Sequence, residues 1–312
     1  MISPPIIIIF GPTGKVGSAA ALFASSLGAK ITLGMRDPSK VLPTPLAAGE
    51  EQAGGFTRVY ADLTKPDTLR TAVQETGAKR AFVYLNYENP DNMKSAFEAL
   101  KSGGVELVVL LSSYAVQGEL SAITPDDFIA WKHAQIELAL AGVFGVGGFV
   151  AIRGGYFATN SLLWKGMINE GKVKIWCPDA AWDWVSPRDV GAVAGAILVK
   201  GPEAVDGSLG RTAVEVIGPD LVSQKEVVET TAKLIGKSVE IESFDESEVV
   251  QFFTVGLSIP EKSARTLVDQ IALREKGVDS FYRSRYEEAV GNIQKYTGWP
   301  PTRFQAWAVK ND

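Results

Sequence analysis

Gly11, Gly14 and Gly17 follow directly on the apolar run Ile6 to Phe10 and precede Ala19-Ala-Ala-Leu22-Phe23, whose spacing is helical. A buried strand that enters a glycine turn and then a helix brings backbone N–H groups close to an anion at the positive helix end. The N–H groups of Thr13, Gly14, Lys15 and Val16 are the donors here, and a dinucleotide pyrophosphate is the anion such a turn suits. Pro12 has no N–H to add. The next strand end, Gly34-Met35-Arg36-Asp37-Pro38-Ser39-Lys40, bears on which dinucleotide. The forked guanidinium of Arg36 and the ammonium of Lys40 suit the extra phosphate of NADP(H). Asp37 could contest that phosphate, but Pro38 predicts a turn in which its carboxylate points away or caps the next segment. Asp62-Leu63 offers a carboxylate for the adenine amino group and a leucine for its face, or alternatively a helix cap. Leu85, Asn86 and Ser112 bring further groups to the same rim, where a nicotinamide ribose would lie.

Proton transfer has few candidates. His133 is the single histidine; its ordinary pKa near 6.5 suits acid/base work, and Glu137 one turn later could orient it. Lys132 points about 100° away on the same helix, so one of the two faces the cofactor. The competing readings are a surface His–Glu pair and a solvated lysine. Tyr156 is expected near the nicotinamide, in a proton-donating or a backing role. Five of the seven tryptophans fall between positions 131 and 184. Trp164, Trp182 and Trp184 are the candidate walls of a pocket for a planar or polycyclic substrate, with small-domain core as the alternative.

These residues need elements to position them. Strands are expected at Lys30 to Gly34, Phe56 to Tyr60, Arg80 to Leu85, Val105 to Leu111 and Gly148 to Ile152. Helices are expected at Pro66 to Thr76, Asp91 to Lys101 and Asp126 to Leu140, and Asp189 to Leu198 and Val214 to Ile217 are expected to return the chain to the first domain. Such alternation predicts an α/β fold with a doubly wound parallel sheet and ligands beyond the C-terminal strand ends. The expected division is a dinucleotide-binding domain at 1–153, completed by about 186–218, with a smaller substrate domain from 154–185 and 219–312. At 312 residues, 46% hydrophobic, the chain can bury a sizeable core. A net charge of −5 without basic clusters argues against nucleic-acid binding. Neither a signal peptide nor a membrane span is read in the N-terminal segment, which predicts a cytoplasmic location. One cysteine, Cys177, excludes an internal disulfide, and no metal-ligand spacing is present.

With the glycine turn, Arg36 to Lys40 and Asp62-Leu63, the chain resembles the NmrA-like branch of the atypical short-chain dehydrogenase/reductases nearly end to end. His133-x-x-x-Glu137-x-x-Leu140, Arg153-Gly-Gly-Tyr-Phe157-x-x-Asn160, Val185-Ser-Pro-Arg-Asp189-Val190, Val216-Ile-Gly-Pro219 and Thr297-Gly-Trp-Pro-Pro-Thr302 extend the likeness in order. Pro12 departs from it, since alanine is common there. The resemblance implies a Rossmann domain with a small substrate domain and NADP(H) as cofactor. In the family's reductases a lysine on the long helix holds the ribose and relays a proton; His133 occupies that slot here, with Lys132 one residue before it. The wider superfamily uses a tyrosine with a lysine four residues later, whose ammonium favours the phenolate. Tyr114 has Gly118 at that distance, so any partner for it must be assembled through space.

The leading expectation is an NADP(H)-dependent oxidoreductase acting on a small aromatic or heterocyclic carbonyl, enone or imine, with His133, Lys132 or Tyr114 handling the proton. The resemblance also covers regulators, so a non-catalytic NADP(H) sensor with a protein partner is the second expectation. A third is an enzyme whose retained cofactor does not turn over and whose pocket catalyses condensation or cyclisation.

Overall fold

Four isoleucines and a phenylalanine make β1 (Ile6–Phe10) apolar on both faces, and the computed structural model sets it inside a seven-stranded parallel sheet. The structure describes residues 4–43, 45, 46, 48–86, 89–205, 212–277 and 285–310. The strands that follow are β2 (Lys30–Met35), β3 (Thr57–Tyr60), β4 (Arg80–Tyr84), β5 (Leu107–Ser113), β6 (Phe149–Gly154), β7 (Lys172–Ile175), β8 (Ala181–Asp183) and β9 (Ala213–Val216). In space the large sheet runs β3-β2-β1-β4-β5-β6-β9, every neighbour parallel. The order reverses between β1 and β4, and there a crevice opens beyond the C-terminal strand ends. This is the doubly wound α/β sheet that the alternation predicts.

Helices α1 (Lys15–Ser26), α2 (Ala48–Ala53), α3 (Pro66–Thr76), α4 (Lys94–Gly103), α5 (Phe128–Phe144), α6 (Lys165–Glu170) and α7 (Pro187–Lys200) connect these strands. Ile7 and Ile9 of β1 face α1 and α7, whereas Ile8 and Phe10 face α3, α4 and α5. The helix expected from Asp91 starts only at Lys94, because Asn92 and Met93 stand at positive φ, 54° and 65°. The long helix begins after Asp127, whose carboxylate caps the Ala130 N–H at 3.1 Å, and continues to Phe144.

α1 and α7 cross closely. A Cβ on Gly191 would lie 2.4 Å from the Val16 carbonyl oxygen, and one on Gly195 would lie 2.7 Å from that of Ala20. Asp189, fully buried at the start of α7, accepts from Trp299 Nε1 at 3.2 Å and from the N–H and hydroxyl of Thr302 at 2.8 and 3.0 Å. Two stretches of the family resemblance, Val185 to Val190 and Thr297 to Thr302, are therefore one tie that holds the C-terminal segment against the sheet.

A third cluster gathers Trp164, Trp182, Trp184, Val227, Val228, Phe253, Val268 and Phe304. It is framed by β7, β8, β10 (Leu221–Ser223) and β11 (Glu240–Ser243), with α8 (Gln224–Leu234), α9 (Glu246–Gln251), α10 (Glu261–Glu275) and α12 (Phe304–Ala308) around it. β8 and β10 pair antiparallel and β7 and β11 pair parallel, outside the large sheet. α11 (Tyr286–Thr297) instead packs against α7 and β9. Among the described residues no helix is long and apolar enough to cross a membrane, and no group of three or more His, Cys, Asp or Glu side chains could hold a metal.

Candidate functional site

A cavity of about 300 Å³ opens at the ends of β1 to β4, lined among others by Gly11, Thr13, Arg36, Asp37, Lys40, Asp62, Leu63, Tyr84 and Asn86. Its floor is the glycine turn. Gly11 stands at φ 68°, and a Cβ there would meet the Tyr84 ring at 2.7 Å. A Cβ on Gly17 would lie 2.4 Å from the Gly11 carbonyl oxygen, so the helix seats on the turn only with glycine at that point. Gly14 caps α1 without a side-chain hydrogen bond, and no acidic residue occupies the first turn. The first turn of α1 thus carries no capping or acidic side chain, but the Gly14 N–H, expected as a donor to the phosphates, is taken by the Gly11 carbonyl at 3.0 Å. The part of the turn that lines the cavity, Gly11 to Thr13 at the positive end of α1, fits a dinucleotide pyrophosphate. Lys15 does not line this cavity but a second hollow of about 790 Å³ behind α1 and α7, with Phe23, Arg188 and Trp299.

The charged end of the cavity is built by a loop held from below. Asp37 accepts from the Ser39 N–H at 2.9 Å and the Ser39 hydroxyl at 2.6 Å, which turns the loop and draws the carboxylate to Ser39. Those hydrogen bonds hold its pKa below the usual carboxylate range. Arg58 of β3 donates to the carbonyls of Pro38 and Lys40 at 2.7 and 2.9 Å while forking onto Glu51 of α2. The loop carrying Arg36 and Lys40 is therefore fixed from outside the motif. Asp62 is nearly buried and accepts from the Thr64 N–H and hydroxyl at 2.9 and 2.8 Å. Burial pushes its pKa up, but the Thr64 hydrogen bonds together with Lys65 and Arg36 hold it low. It makes a turn before α3, whose N-cap is Lys65. Leu63 is buried, its carbonyl held by Asn89 at 2.9 Å. Leu85 packs into the β1–α3–α4–α5 core instead of lining the cavity.

The β5–β6 end of the rim has a different character. Ser112 donates to Glu137 Oε1 at 2.5 Å and lies 3.4 Å from His133 Nδ1. Glu137, predicted to orient His133, is 1% exposed and is held by Arg153 at 2.7 Å. Ser112 thus links the His133 ring to the carboxylate. Burial, with Arg153 nearby, pushes the His133 pKa down to about 4, so the ring is neutral at pH 7. Lys132 lies with its Nζ 5.3 Å from the Trp131 ring.

Beyond this rim the aromatic residues form a packed stack. Tyr156 stacks on Trp182 with centroids 4.4 Å apart and meets Trp184 edge-on at 4.9 Å. Burial pushes its hydroxyl up to about 12, so it is a poor acid at neutral pH. Trp184 is 1% exposed, its Nε1 donating to the Val222 carbonyl, and Trp164 packs against it. Of the two readings of these residues, pocket wall and small-domain core, the second holds, because each is covered by neighbours of its own cluster. Trp182 also carries the Arg274 guanidinium 4.3 Å from its ring, and its buried Nε1 finds no partner among the described residues. Tyr114 accepts from Arg274 Nη2 at 3.0 Å.

No family model matches the chain. A nitrogen metabolite regulation-like protein of Gibberella fujikuroi is 32% identical to it, over 97% of this chain and 95% of the relative. The chain belongs to the NmrA-like family. The NmrA-like chain is also 26% identical, over 98% of each protein, to a (4-alkanoyl-5-oxo-2,5-dihydrofuran-3-yl)methyl phosphate reductase of Streptomyces griseus. Its fold matches that of an NADPH-dependent quinone oxidoreductase from Escherichia coli with a TM-score of 0.68 at 20% identity, over 98% and 99% of the two chains.

Sequence reasoning assigned no role to Arg58, Tyr84, Arg153 or Arg274 in this NmrA-like chain. Tyr84 carried a signal, since it ends a strand of the sheet next to the glycine turn. Arg58 and Arg274 carried none, because each acts on a segment distant in sequence.

Proposed function

We propose that the chain is a cytoplasmic NADP(H)-dependent reductase of a small aromatic or heterocyclic carbonyl, enone or imine. The observation that carries this reading is the cavity at the switch of strand order, where the glycine turn from Gly11 to Thr13 and the Arg36–Lys40 loop face one space. A pyrophosphate would lie on the turn from Thr13 to Gly17, an added phosphate between Arg36 and Lys40, and an adenine against Leu63 within reach of Asp62. The bound nicotinamide would supply hydride. Residues 154–185 and 219–312 would close over the substrate, and the proton would come from the rim, with His133 on Ser112 as one candidate and Lys132 as another. The Streptomyces relative, a reductase by name, supports an enzyme.

Calorimetric titration with NADPH, NADP and NADH, on the wild type and Arg36→Ala, tests the cofactor. Binding of NADPH that falls in the variant while NADH is unaffected is the expected result, and absence of binding by all three sinks the reading. A panel of quinones, enones and imines, followed by nicotinamide absorbance, then tests turnover. The regulation-like name of the 32%-identical relative favours a second reading, a sensor of NADP(H) redox state. Tight NADPH binding without turnover, and a protein partner whose affinity changes with cofactor state, would favour it.

A further inference from the structure

Tyr114 lacks a lysine four residues on, yet it does not lack a cation. Arg274, 160 residues away on α10, donates Nη2 to the Tyr114 hydroxyl at 3.0 Å. The guanidinium is held on two further sides: Nη1 donates to the Ala181 carbonyl at 3.3 Å, and the group lies 4.3 Å from the Trp182 ring. Trp182 is fixed in turn by its stack on Tyr156. A guanidinium stays charged throughout the working pH range, and a cation that donates to a phenol oxygen favours the phenolate. In the small hollow that Tyr114 lines, Glu215 and Arg285 pair with one another at 3.0 Å, and the buried Asp183 carboxylate acts on the neighbouring phenol Tyr286.

We propose that Tyr114 is the proton donor of this site and Arg274 its positioning residue, a tyrosine–arginine pair assembled through space. It rests on the reductase reading and gives the proton to Tyr114 instead of His133, whose neutral ring serves to hold Ser112. In the reduction of a carbonyl, the carbon–oxygen π bond opens, the carbon receives the hydride supplied by the reduced dinucleotide, and the oxygen takes the Tyr114 proton. The O–H bond of Tyr114 breaks, and its electron pair stays on a phenolate that faces the guanidinium until water returns a proton. An imine nitrogen takes the proton in the same way.

The test is an ultraviolet difference titration of the tyrosines in the wild type, Tyr114→Phe, Arg274→Gln and Arg274→Lys, without acceptor. NADPH calorimetry on each variant serves as the check that it is folded. Subtraction of Tyr114→Phe isolates one phenol. It should titrate at least about one pH unit below the ordinary tyrosine value near 10, move up by about one unit or more in Arg274→Gln, and return in Arg274→Lys. With an acceptor, Tyr114→Phe should lower kcat by about 10²- to 10⁴-fold, and Arg274→Gln should displace the pH profile to the alkaline side. An ordinary titration of Tyr114 that Arg274→Gln does not move overturns the pair, as does full turnover by Tyr114→Phe. If no acceptor is reduced but the titration behaves as expected, the reductase reading fails and takes the donor role of Tyr114 with it, while the tyrosine–arginine coupling stands. If reduction is found with an ordinary titration, the pair fails and the reductase reading stands.

Discussion

At the β1–β3 end of the rim the groups facing the cavity come from short local stretches, Gly11 to Thr13, Arg36 to Lys40 and Asp62-Leu63. At the β5–β6 end, Ser112, His133, Glu137 and Arg153 come from three elements and form a buried charged cluster, while Tyr114 meets Arg274 from a fourth. The first region is a turn that an anion can complete. The second is a set of charges that must satisfy one another before any ligand arrives, so perturbing it should reach stability first and chemistry second.

The largest expected effect breaks that second region. Glu137→Gln keeps the shape of the side chain but leaves the Arg153 guanidinium buried without its counter-charge. Removal of one partner of a buried pair costs about 3–5 kcal/mol. Urea unfolding should show a midpoint lowered to match, and Glu137→Gln with Arg153→Met should recover part of it. An unchanged midpoint would mean that water reaches the pair freely and that the two ends of the rim do not differ as described.

In the first region a substitution should reach binding and stability together. In Gly17→Ala the new methyl meets the Gly11 carbonyl oxygen, 2.4 Å away before any relaxation, so turn and helix must separate. Overpacking of this kind costs about 1–3 kcal/mol, or about ten- to a hundredfold if it falls on NADPH affinity. Calorimetry and thermal unfolding on the same variant divide the cost between ligand and fold. Normal affinity would show that the pyrophosphate does not use the turn.

The contrast also explains what the sequence could disclose. The strands from β1 to β6 were legible, because central strands such as Ile6–Phe10 are apolar runs and the turns between strands carry glycine, proline or aspartate, whereas β9, with Glu215 in its middle, carries no such run. That Gly11, Arg36 and Asp62 line one cavity was legible in the same local way, since each follows closely on the end of a strand. The partner of Glu137 was not. One helical turn back to His133 is the local reading, whereas the actual partner, Arg153, arrives through the register of β6 beside β5, where Ser112 lies opposite Arg153. Trp164 and Trp184 misled for a related reason, because aromatic spacing does not reveal whether a ring lines a hollow or fills one.

A pH experiment sharpens the comparison within the second region. His133 takes a proton only near pH 4 in the folded chain, against an ordinary value of 6.5. Between those values the unfolded chain binds more protons than the folded one, so acid favours unfolding. Stability is complete above about pH 6.5 and falls as the pH drops toward 4, by at most about 1.4 kcal/mol per pH unit from this group. His133→Asn should flatten that part of the profile and leave the alkaline side unchanged. A slope that persists in the variant would assign the acid sensitivity elsewhere.

The smallest effect belongs to the first region and separates the two functions of one residue. Asp37 is exposed and charged at neutral pH, its Oδ1 turning the loop through Ser39 while its charge stands at a cavity proposed to receive a phosphate. Asp37→Asn retains the acceptor oxygen and removes the charge. NADPH should bind about two- to threefold more tightly at low salt, with the gain fading as added salt screens the exposed charge. Ser39→Ala does the opposite, loosening the turn while leaving the charge, and should weaken binding. If both variants weaken NADPH, the turn outweighs the repulsion. If neither changes it, the loop is held by Arg58 beneath it, and the cavity owes its selectivity to Arg36 and Lys40 alone.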